Sequence, residues 1–268
     1  MQIDFSLVSE SLAQAFGDAE AIVNVERQRR YSFAEYHRLT NRIVNMMRER
    51  LGLRRGDTWL AILDNDNLSL LSFFTAFKGE AGACYTNSVD SLEDQARQID
   101  FVRPKVVFIE EALLATHHRL LLDRGLTVVS MDRPRTPLPG VLDFWELLDG
   151  VSDANPGVVH DDRRDALLMR FTGGTTGAGK CVLYSIDNWM ANKDQHFALP
   201  DPLPAPALRF LHFGVLSHAS GMLFFPVLFK GGCTVTMNDR SLHTWCRTVE
   251  QEKISGSLMV PSMLYRLL

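Results

Sequence analysis

The sequence predicts an α/β fold of doubly wound, mainly parallel sheets with flanking helices. Short apolar runs at residues 59–63, 81–85, 106–109 and 126–131 are separated by segments with helical spacing. That alternation is the pattern of parallel strands joined by helical crossovers. A second strand-helix-strand unit follows late in the chain, over 233–237, 242–252 and 256–260. With 268 residues, 46% of them apolar and 22% charged, the chain is long enough for one large or two small domains.

Residues 6–16 carry Leu7, Leu12 and Phe16 at helical spacing, and 21–25 reads as a strand. Ser32 with Glu35 three residues on is a capping box. The helix behind it places Tyr36, Leu39, Ile43 and Met46 on one face until Gly52 stops it. Residues 64–67 form a turn, and 68–78 a mostly apolar helix that needs cover on several sides. Ser91 caps a helix that runs to Phe101 and is broken by Pro104, and a further helix spans 112–123. The proline-containing loop 132–140 and the polar stretch 150–164 lead to a strand at 166–171. Asp187 or Asn188 caps a helix to Phe197, and the prolines of 200–206 make an extended connector.

The net charge of −4 and the lack of a long basic run point away from nucleic acid or an anionic membrane as partner. The short basic clusters at 27–30 and at Arg54-Arg55 read as solvated turns. Cys84, Cys181, Cys233 and Cys246 are widely spaced, which suggests neither a zinc site nor a disulfide framework; they read as buried thiols in a reducing compartment. There is no signal peptide and no transmembrane segment, so the expected location is cytoplasmic.

The chemistry concentrates in Phe171-Thr172-Gly173-Gly174-Thr175-Thr176-Gly177-Ala178-Gly179-Lys180. The glycines let backbone N–H groups turn toward an anion, the threonine hydroxyls add donors, and Lys180 adds a mobile positive charge suited to a polyphosphate. Gly174, four residues, Gly179 and Lys180 also fit the GxxxxGK of a P-loop NTPase. That motif needs a serine or threonine and then a helix; Cys181 and the strand-like run behind it count against it.

Residues 171–182 resemble the phosphate loop of the AMP-forming adenylating enzymes, the superfamily of acyl-CoA synthetases, peptide-synthetase adenylation domains and firefly luciferase. The usual form is an aromatic followed by TSGTTGxPKGV. Here Gly173 replaces the serine, as in many fatty acyl-CoA synthetases, Gly179 the proline and Cys181 the last glycine. Tyr31, the capped helix and Gly56-Asp57 look like the family's opening motif. Val215-Leu216-Ser217-His218-Ala219-Ser220-Gly221 is similar to a segment in which a histidine and a nearby glycine lie by the acyl pocket and the nucleotide, with Ser217 in place of an aromatic. His117, His118, His212 and His243 read as structural. The helix at 222–229 would wall the acyl pocket by resemblance; on spacing alone it is core.

The resemblance implies an incomplete N-terminal domain of the adenylating-enzyme fold over 1–268. Residues 55–198 would form a first α/β subdomain with the phosphate loop, 1–54 plus 207–268 part of a second, and the C-terminal domain would be absent. The implied reaction is ATP-dependent activation of a small-molecule carboxylic acid, fatty or aromatic, to an acyl-adenylate, then transfer to a thiol, usually that of coenzyme A. Thr172, Gly173, Gly174, Thr175, Thr176, Gly177 and Lys180 would bind the ATP phosphates, and His218 and Gly221 would stand near the acyl group. The ligands of Mg2+, the adenine contacts and the catalytic lysine would lie outside this sequence. The apolar, uncapped ending at Leu264, Leu267 and Leu268 reads as a fold cut short, inactive alone and expecting its other half as partner. Two other readings stay open: a non-catalytic remnant or partner subunit with weak nucleotide binding, and the P-loop NTPase.

Overall fold

The structure, a computed structural model, describes residues 2–134, 137–172, 179–198 and 207–265. Strand β1 (Ile3–Asp4) leads into α1 (Phe5–Phe16), which the Asp4 carboxylate caps. The hairpin of β2 (Glu20–Asn24) and β3 (Arg29–Ser32) precedes α2 (Phe33–Glu49), whose Ser32–Glu35 capping box is made in both directions. Next come β4 (Thr58–Leu63), α3 (Asn65–Leu70), α4 (Phe73–Lys78), β5 (Gly82–Asn87), α5 (Leu92–Val102), β6 (Val106–Ile109), α6 (Glu111–Leu122) and β7 (Thr127–Ser130). They are followed by β8 (Val141–Asp143), α7 (Phe144–Leu148), β9 (Val159–His160), β10 (Ala166–Phe171), β11 (Cys181–Ser185) and α8 (Ile186–Ala198). The last elements are β12 (Arg209–His212), a 3-10 turn (Ala219–Leu223), α9 (Phe224–Phe229), β13 (Cys233–Thr236), α10 (Leu242–Gln251), β14 (Gly256–Ser257) and α11 (Pro261–Leu264).

Strands β1 and β9 form a small antiparallel pair by themselves. Of the two large sheets, one has the order β11-β10-β5-β4-β6-β7-β8 and is parallel except for the β10–β11 hairpin. The other has the order β14-β12-β13-β2-β3 and is parallel except for β3. The period of two along the strands assigns the layers. On β4, Trp59, Ala61 and Leu63 face the helices between the two sheets, while Leu60 and Ile62 face α5 and α6. On β2, Ile22 faces the same central helices and Val23 faces α10. The centre is aromatic. Phe225 lies 4.7 Å from Phe74 and 5.6 Å from Phe5, and Phe73 lies 4.2 Å from Trp189, centroid to centroid.

Several local expectations change. The helix expected over 68–78 is two helices, broken at Leu71-Ser72, and Asp64 caps the first of them, so 64–67 opens a helix and is not a free turn. Partners from elsewhere take up the carbonyls freed at the break. Tyr36 Oη donates to Ser69 O, Tyr85 Oη to Leu71 O and Thr75 Oγ1 to Leu70 O, at 2.8–2.9 Å. Helix α8 is capped by Ser185 in a reciprocal pair with Asn188. The 27–30 cluster is not simply solvated: Arg27 forms ion pairs with Asp64, Glu110 and Asp132. Of the cysteines, Cys84 and Cys233 are buried, Cys181 is half-buried and Cys246 exposed. The connector at 200–206 and the ending at Leu267-Leu268 lie outside the described residues.

The two sheets are joined through the buried first turn of α3. Asn65 Nδ2 donates to the carbonyls of Gly214 (2.9 Å), Met237 (3.1 Å) and His212 (3.2 Å), and its Oδ1 accepts from Leu216 N–H at 2.9 Å. Asn65→Ala leaves these groups buried without partners. It is expected to destabilise the fold by about 3 kcal/mol, read as a lowered urea midpoint at unchanged m-value.

Candidate functional site

The carboxyl ends of both sheets' parallel strands converge on one side of the molecule, where open α/β sheets bind ligands. A cleft of about 420 Å³ opens there, lined by Asp64, Asn65, Ser88, Val215, Met237 and Asn238, each just beyond a strand end. A second cleft, of about 400 Å³, lies beside the β10–β11 hairpin against Phe101, Phe171, Gly179, Lys180 and Cys181.

Strand β10 runs parallel to β5, carries Phe171 at its end and turns back as β11. The mouth of this hairpin is closed by Thr172 and Lys180. Thr172 N–H donates to Lys180 O at 2.9 Å, and Lys180 N–H donates to Thr172 Oγ1 at 3.0 Å. Both side chains are exposed. At Gly179 a Cβ would stand 2.3 Å from Thr172 O, so a proline there would require the mouth to open. Gly173, Gly174, Thr175, Thr176 and Gly177 lie outside the described residues. Lys180 is followed by a strand, so the helix N-terminus that a P-loop requires is missing.

His218 stands on the loop after β12 and is half-buried. Burial, and then the charge of Arg170, lower its pKa, so the imidazole is held toward its neutral form. The loop is tight. Gly221 N–H donates to His218 O at 3.1 Å, and a Cβ on Gly221 would stand 2.1 Å from Leu216 O, so the glycine is needed for that approach. Ser217 is buried, and its hydroxyl has no hydrogen-bond partner among the described residues. The helix expected at 222–229 is a 3-10 turn followed by α9, and Phe224, Phe225, Val227 and Leu228 are core. Met222 remains exposed.

Arg170 joins these two pieces, and the sequence reading missed it. Its guanidinium lies within the core, donating to Ser217 O at 2.6 Å, to Leu216 O at 2.9 Å and to His218 O. A charged residue in an otherwise apolar strand was the available signal. Of the histidines set aside as structural, His212 is fully buried with Nδ1 3.0 Å from Ser220 Oγ, and His117 bonds within its own helix to Leu113 O. Among the described residues, no group of three or more His, Cys, Asp or Glu side chains converges to hold a metal ion, and no helix is long and apolar enough to cross a membrane.

The model of the AMP-binding enzyme family matches residues 9–268. The chain belongs to the AMP-binding enzyme family. 4-Coumarate-CoA ligase-like 8 of Arabidopsis thaliana is 24% identical over 94% of the chain, which covers 46% of that protein. The medium/long-chain-fatty-acid-CoA ligase FadD8 of Mycobacterium tuberculosis is 29% identical over 62% of the chain and 28% of its own length. Among solved structures, the inhibitor-bound N-terminal domain of FACL13 from M. tuberculosis shares the fold, with a TM-score of 0.82 at 18% identity, over 98% of this chain and 64% of that one. The chain spans less than half the length of the curated relatives it matches.

Burial pulls the His212 pKa down to about 3. The unfolded chain takes up this proton near pH 6.5, so below that pH it binds more protons than the folded state and stability falls as pH falls toward 3. Going from pH 7 to pH 5, the wild type is expected to lose about 2 kcal/mol relative to His212→Gln in paired urea titrations. Parallel behaviour of the two proteins would show that His212 takes up its proton in the folded state as readily as in the unfolded chain.

Proposed function

We propose that this chain is part of an enzyme that activates a carboxylic acid with ATP and passes the acyl group to a thiol, that of coenzyme A, the acid being fatty or aromatic. The observation that carries the reading is the hairpin mouth of Thr172 and Lys180 at the carboxyl end of β10, across from the His218 loop, in a member of the AMP-binding enzyme family. The names of its relatives, a fatty-acid ligase and a 4-coumarate-CoA ligase-like protein, favour coenzyme A as acceptor.

In the first step a carboxylate oxygen forms a bond to the α-phosphorus of ATP, and the bond to the bridging oxygen breaks to release pyrophosphate. In the second, the thiol sulfur bonds to the acyl carbon and AMP leaves with the carboxylate-derived oxygen; the thiol proton goes to solvent or to a base. Such displacements are accelerated mainly by positioning and by neutralising charge on the departing phosphates. Lys180 supplies the positive charge, and Thr172, Thr175, Thr176 and the N–H groups of Gly173, Gly174 and Gly177 supply donors. His218, neutral at pH 7, and Gly221 border the acyl side. Mg2+ used with ATP is held mainly by the phosphates and water with one or two protein carboxylates, and no step is assigned to it. The two-subdomain reading belongs to the same proposal. In its support, the strands between residues 58 and 185, apart from β9, which pairs with β1, form one sheet, and strands from 20–32 and 209–257 form another.

The test is a calorimetric titration of the chain with MgATP. Binding is expected, and Lys180→Ala should weaken it by about tenfold to a hundredfold, the worth of a hydrogen bond to a charged group. Equal affinity of the two proteins would remove Lys180 from the site, and absence of binding by the wild type would leave the non-catalytic reading.

A further inference from the structure

Arg170 carries a positive charge for which no acidic side chain among the described residues forms an ion pair. The residue is 5% exposed, and among the described residues its guanidinium bonds only to backbone carbonyls: Leu216 O, Ser217 O and His218 O, three in succession. The flat group also lies against two aromatic rings, with Cζ 6.0 Å from the centroid of Phe73 and 5.9 Å from that of Trp189. Placing a charge there is costly, and a polar pair or an apolar side chain would fill the space with less penalty. The guanidinium does what those could not. Its planar fork, with several N–H donors in fixed directions, reaches three consecutive carbonyls, a geometry that a compact ammonium does not match.

The position of Arg170 gives this a purpose. It is followed by Phe171 and then by Thr172, the first residue of the phosphate hairpin mouth, so its backbone is fixed by pairing with Tyr85 on β5 and Val182 on β11. Its side chain ends on the carbonyl of His218. The opposite side of the same loop is held by Asn65, through Gly214 O and Leu216 N–H. We propose, on the basis of the function above, that Arg170 is the positioning residue of this site: it ties the His218 loop to the strand that enters the phosphate loop and so fixes the spacing between the acyl side and the phosphate side. The charged groups that act on His218 are Arg170 from β10 and Asp90 from the loop after β5. Arg170 opposes the protonation of His218, and Asp90 favours it.

The test uses the ligand-free chain with Arg170→Lys and Arg170→Met. Amide exchange at His218 and Gly221 and the pH titration of the His218 imidazole are both read by NMR. In both variants exchange at His218 and Gly221 is expected to rise by about tenfold, the loss of one charge-assisted hydrogen bond, while amides of β4 and β5 keep their protection. The titration separates charge from geometry. His218 should titrate at higher pH in Arg170→Met and stay near the wild-type midpoint in Arg170→Lys, a difference that loss of packing alone would not produce. Unchanged exchange at both amides in Arg170→Lys would overturn the proposal, and that variant decides the matter by itself if Arg170→Met fails to fold. No nucleotide enters either measurement, so a failure of ATP binding in the Lys180 experiment is a separate result.

Discussion

The two sheets meet through four consecutive polar side chains, Asp64 to Asn67, and the rest of the structure is arranged to satisfy them. Asn65 closes on the His212–Leu216 segment and on Met237. Asp66, fully buried, accepts from Thr236 Oγ1 at 2.6 Å and from Arg27 N–H at 3.3 Å. Asn67 donates to Glu110 and Asp132, both of which also pair with Arg27. One turn of helix therefore touches β12, β13, the β2–β3 hairpin and the ends of β6 and β7. Each such group, left unpaired in the interior, would cost about 1–3 kcal/mol, so the sheets cannot slide past one another without losing several bonds together. Burial pushes the Asp66 pKa up to about 7 against the pull of the Thr236 hydroxyl, which measures how far this junction is removed from water.

A junction this rigid suits the proposed chemistry. Displacement at phosphorus needs an acid and a phosphate chain held in line, and errors of an ångström are expensive. Here the two supports of the His218 loop are Asn65, in the helix that follows β4, and Arg170 on β10, so both stand on the side of the larger sheet, while the loop itself extends from the smaller one. The aromatic centre beneath, with Phe73 against both Trp189 and Phe225, keeps water from the Arg170 carbonyl bonds and so strengthens them.

Much of this was legible in residue order. Strand and helix periods placed the parallel strands 58–63, 82–87, 106–109 and 127–130 to within a residue or two, because their apolar runs are short and separated by segments of helical spacing. The Ser32–Glu35 box is local chemistry and was read as such. The strand-loop-strand setting of Lys180 followed from the run Cys181-Val182-Leu183-Tyr184 alone. The break at Leu71-Ser72 was not legible. No proline or glycine marks it, and the tyrosines that stabilise it come from positions 36 and 85. Nor was the role of Arg27, which looks like any basic turn until Asp64, Glu110 and Asp132 are brought around it.

The sequence by itself determined the class of fold, the hairpin that presents Thr172 and Lys180, and the candidacy of His218, since each rests on period, capping or a contiguous motif. Only the tertiary structure decided that Arg170 and Asn65 hold the His218 loop and that α9 is core. Those facts depend on which distant carbonyls a side chain reaches. A buried guanidinium and a buried amide carry no local signature: their partners are main-chain groups 46 to 172 residues away, and these are the same in every residue type.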